Sequence, residues 1–251
     1  MTKRPLRVLL AAAVWLLIWE IAALAVGKGF VLASPVEVVF SLVNLVPTPD
    51  FWLTCLYSLG RIAAGFCIAL VLGVALAWLS TLAAWLRDFI SLPVRAISAI
   101  PVVSFIILVL IWADSSLLTV TVSAIMVLPV VYSNVLEGLD SLDPKLDEMA
   151  AVFDLPRVRR WRAVVFPQLY PYLRAASRTG LGLCWKAGVS AEVIGLPSGS
   201  IGEQLYQAKI FLDTPELFAW TAVIVVLSFA FARLVLWLLA CSKKLALRGL
   251  A

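Results

Sequence analysis

The chain has 251 residues, of which 63% are hydrophobic and 14% charged, and its mean hydropathy is +1.03. A soluble domain of ordinary composition is far less apolar, so the composition indicates an integral membrane protein. The net charge of +5 is explained by attraction to anionic lipid headgroups, so this charge does not require a nucleic-acid partner. The chain contains no His, the commonest general base and metal ligand. We therefore expect no catalytic residue, metal site or bound cofactor in this chain.

The first apolar span covers residues 8–26, and Glu20 is its only charge. Basic residues precede it, as they do in a signal peptide. The run is nevertheless long enough to cross about 30 Å of hydrocarbon. No small-residue cleavage site stands out before Gly27. We interpret this span as a retained membrane helix.

A short helix is predicted between the first two spans. Ser34 is placed to cap it, Pro35 to occupy its first position, and Glu37 to complete a capping box. Its apolar face predicts a position along the bilayer surface or against the helix bundle. We expect residues 1–50 to form an N-terminal helix with an extracytoplasmic linker, and residues 51–244 to form the transmembrane core.

The second span covers about residues 54–82, and its glycines and alanines predict close helix packing, which drives association in lipid. Arg61 is the exception among these apolar and small residues. Its side chain could reach the headgroups from a position near the outer surface, or it could line a polar path. Both interpretations stay open.

The third and fourth spans, about residues 89–112 and 117–136, contain prolines. Pro101 removes a backbone donor, and a break there would free carbonyls near the middle of the membrane. Such carbonyls are tolerated only if they face protein or a water-filled path, so Pro101 and Ser104 are candidates for lining a path. An ordinary proline kink is the alternative. Asn134 in the fourth span is interpreted in the same way.

The fifth and sixth spans cover about residues 169–194 and 217–241, which gives six spans in all. Lys186 and Glu192 lie within the fifth, where an ionisable residue indicates a functional site by default. They are six residues apart, which is a rotation of about 600° along a helix, so their side chains do not face each other. Both are candidates for lining a path. We hypothesise that Lys186 favours an anionic solute, with a structural ion pair to another span as the alternative.

The basic residues predict the orientation of the chain. If the N-terminus is inside, most of them fall on that side: Lys3, Arg4, Arg7, Arg87, Arg95, the basic residues within 145–178, Lys243, Lys244 and Arg248. The loops of the opposite side carry mainly Asp and Glu, against Lys28 and Lys209. This asymmetry follows the positive-inside rule and predicts that both termini are cytoplasmic.

A polar, basic island at residues 143–167 separates the fourth and fifth spans. Asp143 and Pro144 are typical of an N-cap and a first helical position, so a helix is predicted to continue to about Phe153. Asp154 tolerates a positive φ and then turns the chain, and Pro156 begins a second short helix. A segment with this many charges cannot lie in hydrocarbon, and its charge is positive. We therefore predict that it forms a docking surface on the cytoplasmic side.

The island resembles the EAA loop of ABC-importer permeases. Glu148, Ala150, Ala151 and Pro167 are in register with that motif, whereas Met149 replaces the usual Ala and Asp154 the usual Gly. The sequence Ser-Leu-Gly-Arg-Ile-Ala-Ala-Gly-Phe at residues 58–66 also resembles the nitrate, sulfonate and taurine branch of these permeases. The residues that the resemblance implies in coupling to an ATPase are Glu148, Met149, Ala150, Ala151, Phe153, Asp154, Arg157, Arg160, Trp161 and Pro167.

The resemblance implies an all-α, polytopic type-1 importer transmembrane domain of six helices in the inner membrane. It implies two copies of a separate ATP-binding subunit, which would hold ATP and Mg, because this chain has no G-x-x-x-x-G-K-[ST] phosphate loop. A second permease copy or a homologue, and an extracytoplasmic solute-binding protein, are the further partners that it implies.

Three alternatives are open. A secondary transporter or channel driven by an ion gradient would predict inverted repeats and buried acid or His relays, which we do not find in the sequence. A membrane enzyme would require a polar catalytic cluster, but Glu20, Asp114 and Glu192 lie on different spans. For the island alone, the alternative is a hairpin that binds anionic lipid through its arginines.

Overall fold

The computed structural model of the chain describes residues 4–27, 29 and 31–248, and all regular structure in that part is helical. Lys3 and Lys28, which contribute to the charge pattern, lie outside the described residues. The all-α fold is confirmed. The helices are α1 (Arg4–Val26), α2 (Pro35–Leu45), α3 (Pro49–Ser80), α4 (Ala84–Ala99), α5 (Val102–Trp112), α6 (Ser115–Asp140), α7 (Pro144–Val152), α8 (Arg157–Arg160), a π-helical turn (Trp161–Val165), α9 (Phe166–Gly195), α10 (Ile201–Ile210) and α11 (Thr214–Arg248).

Within the described ranges, α1, α3, α6 and α11 are long and apolar enough to cross a membrane, and the bent pair α4–α5 makes a fifth crossing if it counts as one. Composition alone does not identify α9, because this 30-residue helix carries four charged residues: Arg174, Arg178, Lys186 and Glu192. It packs against α6 and α3 in the centre of the bundle. We therefore treat α9 as the remaining span.

The core forms where α3, α6 and α9 approach closely. Phe66 of α3, Val127 of α6 and Leu181 of α9 are all buried in one cluster. Glycines allow this approach: a Cβ on Gly65 would lie 2.6 Å from the Val120 carbonyl oxygen, closer than real Cβ atoms come. The prediction that small residues pack the second span is thus confirmed.

The third span is broken rather than kinked. Helix α4 ends at Ala99, α5 begins at Val102, and their axes differ by 106°. Pro101 has no N–H group to continue the helix, and Ile100 makes only a long 3.4 Å hydrogen bond to the Ile97 carbonyl. The break predicted at Pro101 is therefore confirmed, and the alternative of an ordinary kink is wrong.

The predicted cap of α2 is also confirmed. The Glu37 N–H donates to Ser34 Oγ at 3.2 Å, and the Ser34 N–H donates to a Glu37 carboxylate oxygen at 2.8 Å. Val38 of this helix is buried in a small cluster with Ala219 of α11. Of the two predicted positions for α2, packing against the bundle is the one observed.

Gly65→Ala should destabilise the chain by about 1–3 kcal/mol, because the added methyl group overpacks the contact between α3 and α6. Thermal unfolding of the detergent-solubilised protein would measure the loss. Gly60→Ala is the matched control on the same helix, since nothing lies within 4 Å of its Cβ position. Equal melting temperatures for the two variants would contradict this account of the core.

Candidate functional site

The island between α6 and α9 begins with a capped helix, as the sequence predicts. Asp143 is the N-cap of α7, and its carboxylate accepts a hydrogen bond from the Lys145 N–H at 2.9 Å. The Asp143 N–H donates to Gln168 Oε1 at 2.9 Å. Because Gln168 belongs to α9, this bond ties the start of the island to its end.

Asp154 reverses the chain after α7. Its φ is +47°, so the predicted left-handed turn is confirmed. The Leu155 N–H donates to the Ala150 carbonyl at 3.0 Å, and the Asp154 N–H donates to the Ala151 carbonyl at 3.1 Å. These two bonds form a Schellman cap, in which Asp takes the position that Gly usually occupies.

The second short helix runs directly into the fifth span. Helix α8 follows Pro156, and a π-helical turn then joins it to α9 without a loop. The Phe166 N–H donates to the Trp161 carbonyl five residues earlier. Pro167 explains the wider turn, since it lacks an N–H group and its ring crowds the carbonyl four residues before it.

The island exposes apolar side chains to its surroundings. Val152 is 82% exposed and Phe153 70% exposed, although both are large and apolar. We call the set the loop patch; it comprises Met149, Val152, Phe153, Val158 and Trp161. Exposed apolar surface of this kind marks an interaction site.

The two alanines of the motif face different ways. Ala151 is exposed, whereas Ala150 is 1% exposed and lies against the chain's own interior. The resemblance implies that both alanines take part in coupling, but Ala150 does not present its side chain to a partner in this conformation. Glu148 and Arg157 are exposed at the surface of the island, and Arg160 is half-buried.

A second cluster of polar residues lies near the other end of α9, around Glu192. Its side chain is fully buried. The carboxylate accepts hydrogen bonds from Ser58 Oγ at 2.8 Å, from the Gly202 N–H at 3.2 Å and from Thr119 Oγ1 at 3.4 Å. Ser58 Oγ in turn accepts the Ile201 N–H at 2.9 Å. The carboxylate thus joins α3, α6, α9 and α10, and in this conformation it does not line an open path, contrary to the sequence interpretation.

Arg61 belongs to the same end of the molecule. Its guanidinium carbon lies 4.4 Å from the centre of the Tyr57 ring. One guanidinium nitrogen is buried with no hydrogen-bond partner among the described residues. Arg61 lies three residues after Ser58 on α3, so it is on the side of this helix that carries the hydrogen bond to Glu192.

The remaining path candidates are dispersed. Pro101 and Ser104 are exposed at the break between α4 and α5. Asn134 is half-buried on α6, and its amide donates to the Val130 carbonyl of its own helix at 2.8 Å. The Asn134 amide thus has a hydrogen-bond partner within its own helix.

Lys186 lies on an exposed face of α9 that also contains two arginines. Arg174, Arg178, Gly182 and Lys186 follow one another at intervals of four residues, and all four are exposed. Such a row advances only about 40° per step, so it forms one oblique stripe, which we call the α9 open face. The sequence interpretation assigned Arg174 and Arg178 to the cytoplasmic side only. Their four-residue spacing towards Lys186 could have predicted that all three share one face of α9.

The comparisons with known proteins agree with the resemblance to importer permeases and with the fold. The model of the family described as binding-protein-dependent transport system inner membrane component matches residues 69–242. A putative aliphatic sulfonates transport permease protein of Bacillus subtilis is 27% identical, covering 84% of this chain and 77% of that protein. A nitrate import permease protein of Synechocystis is 28% identical, covering 77% and 73%.

A solved structure shares the fold. The crystal structure of an amino acid ABC transporter with histidines aligns with a TM-score of 0.59 and 18% identity. It covers 81% of this chain and 97% of that chain.

Replacing Asp154 by Val should loosen the end of α7, because the left-handed conformation costs an L-residue about 1–2 kcal/mol and suits β-branched residues least. Asp154→Gly removes that cost and is the control. Hydrogen exchange of the α7 amides would report the change, with roughly tenfold faster exchange expected in the Val variant. Identical exchange in both variants would count against the cap.

Proposed function

Since the chain belongs to the family of binding-protein-dependent transport system inner membrane components, we propose that it is the permease subunit of an ATP-driven ABC importer. The observation that carries the proposal is the loop patch, an exposed apolar surface on a charged segment between two spans. The sequence has no phosphate loop of its own, so ATP and Mg are bound by a separate subunit.

The loop patch is the surface on which the ATP-binding subunit docks. Interface centres bury aromatic and apolar residues and surround them with a polar rim, and here Phe153 and Trp161 are bordered by Arg157 and Glu148. Hydrogen bonds hold α7 on one side, and a continuous helix leads into α9 on the other. Movement of the ATP-binding subunit therefore reaches the membrane through these two connections.

The translocation path runs along the α9 open face. Helix α9 is about 45 Å long against about 30 Å of hydrocarbon, so Arg178 and Lys186 lie at membrane depth. A charged side chain there costs about 2.5–3.5 kcal/mol if it faces lipid, so this face must border water or another chain. The exposed break at Pro101 meets the same requirement, because its freed carbonyls cannot face lipid.

The imported solute is a small anion. Two arginines and Lys186 on the open face give it a positive field, and the described open face has no acidic residue. Relatives named for sulfonates and nitrate support this solute class. An extracytoplasmic solute-binding protein delivers the solute, and a second permease copy or a homologue completes the path. Both termini are cytoplasmic, as the basic residues indicate.

Phe153→Asp should abolish docking of the ATP-binding subunit, because it places a charge at the centre of the apolar loop patch. Co-purification from native membranes with tagged chain measures the complex, and at least a roughly tenfold loss is expected. Phe211→Asp is the matched control, since Phe211 is also exposed but lies at the turn between α10 and α11. If the unmodified chain purifies without an ATP-binding subunit, the importer proposal fails and an ion-driven transporter becomes the favoured function.

Lys186→Met should lower uptake of the anion by about tenfold to a hundredfold, because a hydrogen bond to a charged group is worth about 1.5–3 kcal/mol. Radiolabelled sulfonate and nitrate uptake into cells would be measured alongside co-purification of the ATP-binding subunit, which should not change. Lys209→Met on α10 is the control, as this lysine is exposed outside the open face. Unchanged transport kinetics in the Lys186 variant would show that this lysine does not bind the solute.

A further inference from the structure

A large basic cavity lies between α9 and α11, at the end of the bundle that carries the island. Its volume is about 740 Å³. Three cations line it, namely Arg174 and Arg178 from α9 and Lys243 from α11. Tyr170 and Leu236 form part of its wall. We call this space the α9–α11 cavity.

Acidic side chains are absent from the described surroundings of these cations. No Asp or Glu belongs to the described lining of the cavity. Neither Arg174 nor Arg178 forms an ion pair within the part of the chain that the structure describes, where Arg87 and Asp140 are the pair present. Like charges that converge on one space repel each other unless an anion lies between them.

The cavity is also partly organised in advance. The Lys243 ammonium lies 4.7 Å from the centre of the Tyr170 ring, within the range of a cation–π contact. Tyr170 is buried and packs against Phe166 with ring centres 6.3 Å apart. The lysine is therefore held at the cavity wall, where its remaining N–H groups can donate to a ligand.

We propose that the α9–α11 cavity binds a phosphate-type oxyanion through Arg174, Arg178 and Lys243. Guanidinium groups suit this ligand because their N–H fork donates two parallel hydrogen bonds to a pair of oxygens, and the ammonium adds a point charge. The site shares Arg174 and Arg178 with the α9 open face, and it goes beyond the proposed function because it adds Lys243 of α11 and assigns these three cations a phosphate-type ligand of their own.

Such an oxyanion has two possible sources. One is the headgroup of an anionic phospholipid, which basic pockets between membrane helices bind. Leu236, which forms part of the cavity wall, would then lie beside the acyl chains. The other source is a free ion in solution, which needs only the polar end of the cavity.

Direct binding to the purified complex tests the proposal. Native mass spectrometry would count adducts of dioleoyl phosphatidylglycerol, with dioleoyl phosphatidylcholine as the uncharged counterpart. Calorimetry would titrate inorganic phosphate in the same detergent. The variant combines Arg174→Gln with Lys243→Gln. Its matched control combines Arg233→Gln with Lys244→Gln, two exposed cations of α11 outside the cavity.

We expect the cavity variant to weaken binding of phosphatidylglycerol or phosphate at least roughly tenfold, and the control to keep it. Loss of the lipid adduct identifies a headgroup site, and loss of phosphate binding identifies a free-ion site. Arg174→Lys, which keeps the charge, should restore part of the affinity, and unchanged melting temperatures exclude misfolding. The proposal fails if neither probe binds, if phosphatidylcholine binds equally well, or if both double variants bind alike.

Discussion

The close contact of α3, α6 and α9 is the constraint on which the rest of the structure depends. These helices can meet only where side chains are absent, as at Gly65, and the buried Glu192 carboxyl group joins them near one end. A buried polar group is tolerable only if hydrogen bonds compensate its lost hydration, and here the donors come from three other helices. Removing any donor would leave a polar group unpaired in the interior. The hydrogen bonds of Glu192 therefore depend on the close packing of α3, α6 and α9.

That packing decides which face of α9 is open. One side of the helix is filled by α3 and α6, where Glu192 is buried, whereas Arg174, Arg178 and Lys186 lie on the exposed side. Arg178 and Lys186 lie there, and a charged side chain that faces lipid is costly. The proposed path along this face therefore requires water or a second chain as its neighbour. The break at Pro101 places the same demand on the surroundings of α5.

Local features could be predicted from the sequence because local chemistry determines them. Ser34 caps a helix and Asp154 turns the chain wherever the tertiary fold puts them. Apolar runs identify α1, α3, α6 and α11, and the pair α4–α5 if it counts as one crossing, whereas its central position is what identifies α9 as a span. Burial could not be predicted in the same way. Nothing in the order of residues distinguishes the inward Ala150 from the outward Ala151, or the buried Glu192 from the exposed Lys186, since neighbours distant in sequence decide both. The positive-inside rule predicts on which side of the membrane Arg178 lies. It does not predict which way the side chain points, because that depends on the helices that pack around α9.

The π-helical turn before Pro167 gives the island a mechanical consequence. Because helix continues from Arg157 through this turn into α9 with no loop, α8 and the span form one continuous rod. If α9, about 45 Å long, tilts by about 5°, its far end moves about 4 Å sideways. That end holds Glu192, which joins four helices. Under the proposed docking, a small tilt imposed at the island would therefore become a shear across the opposite end of the bundle.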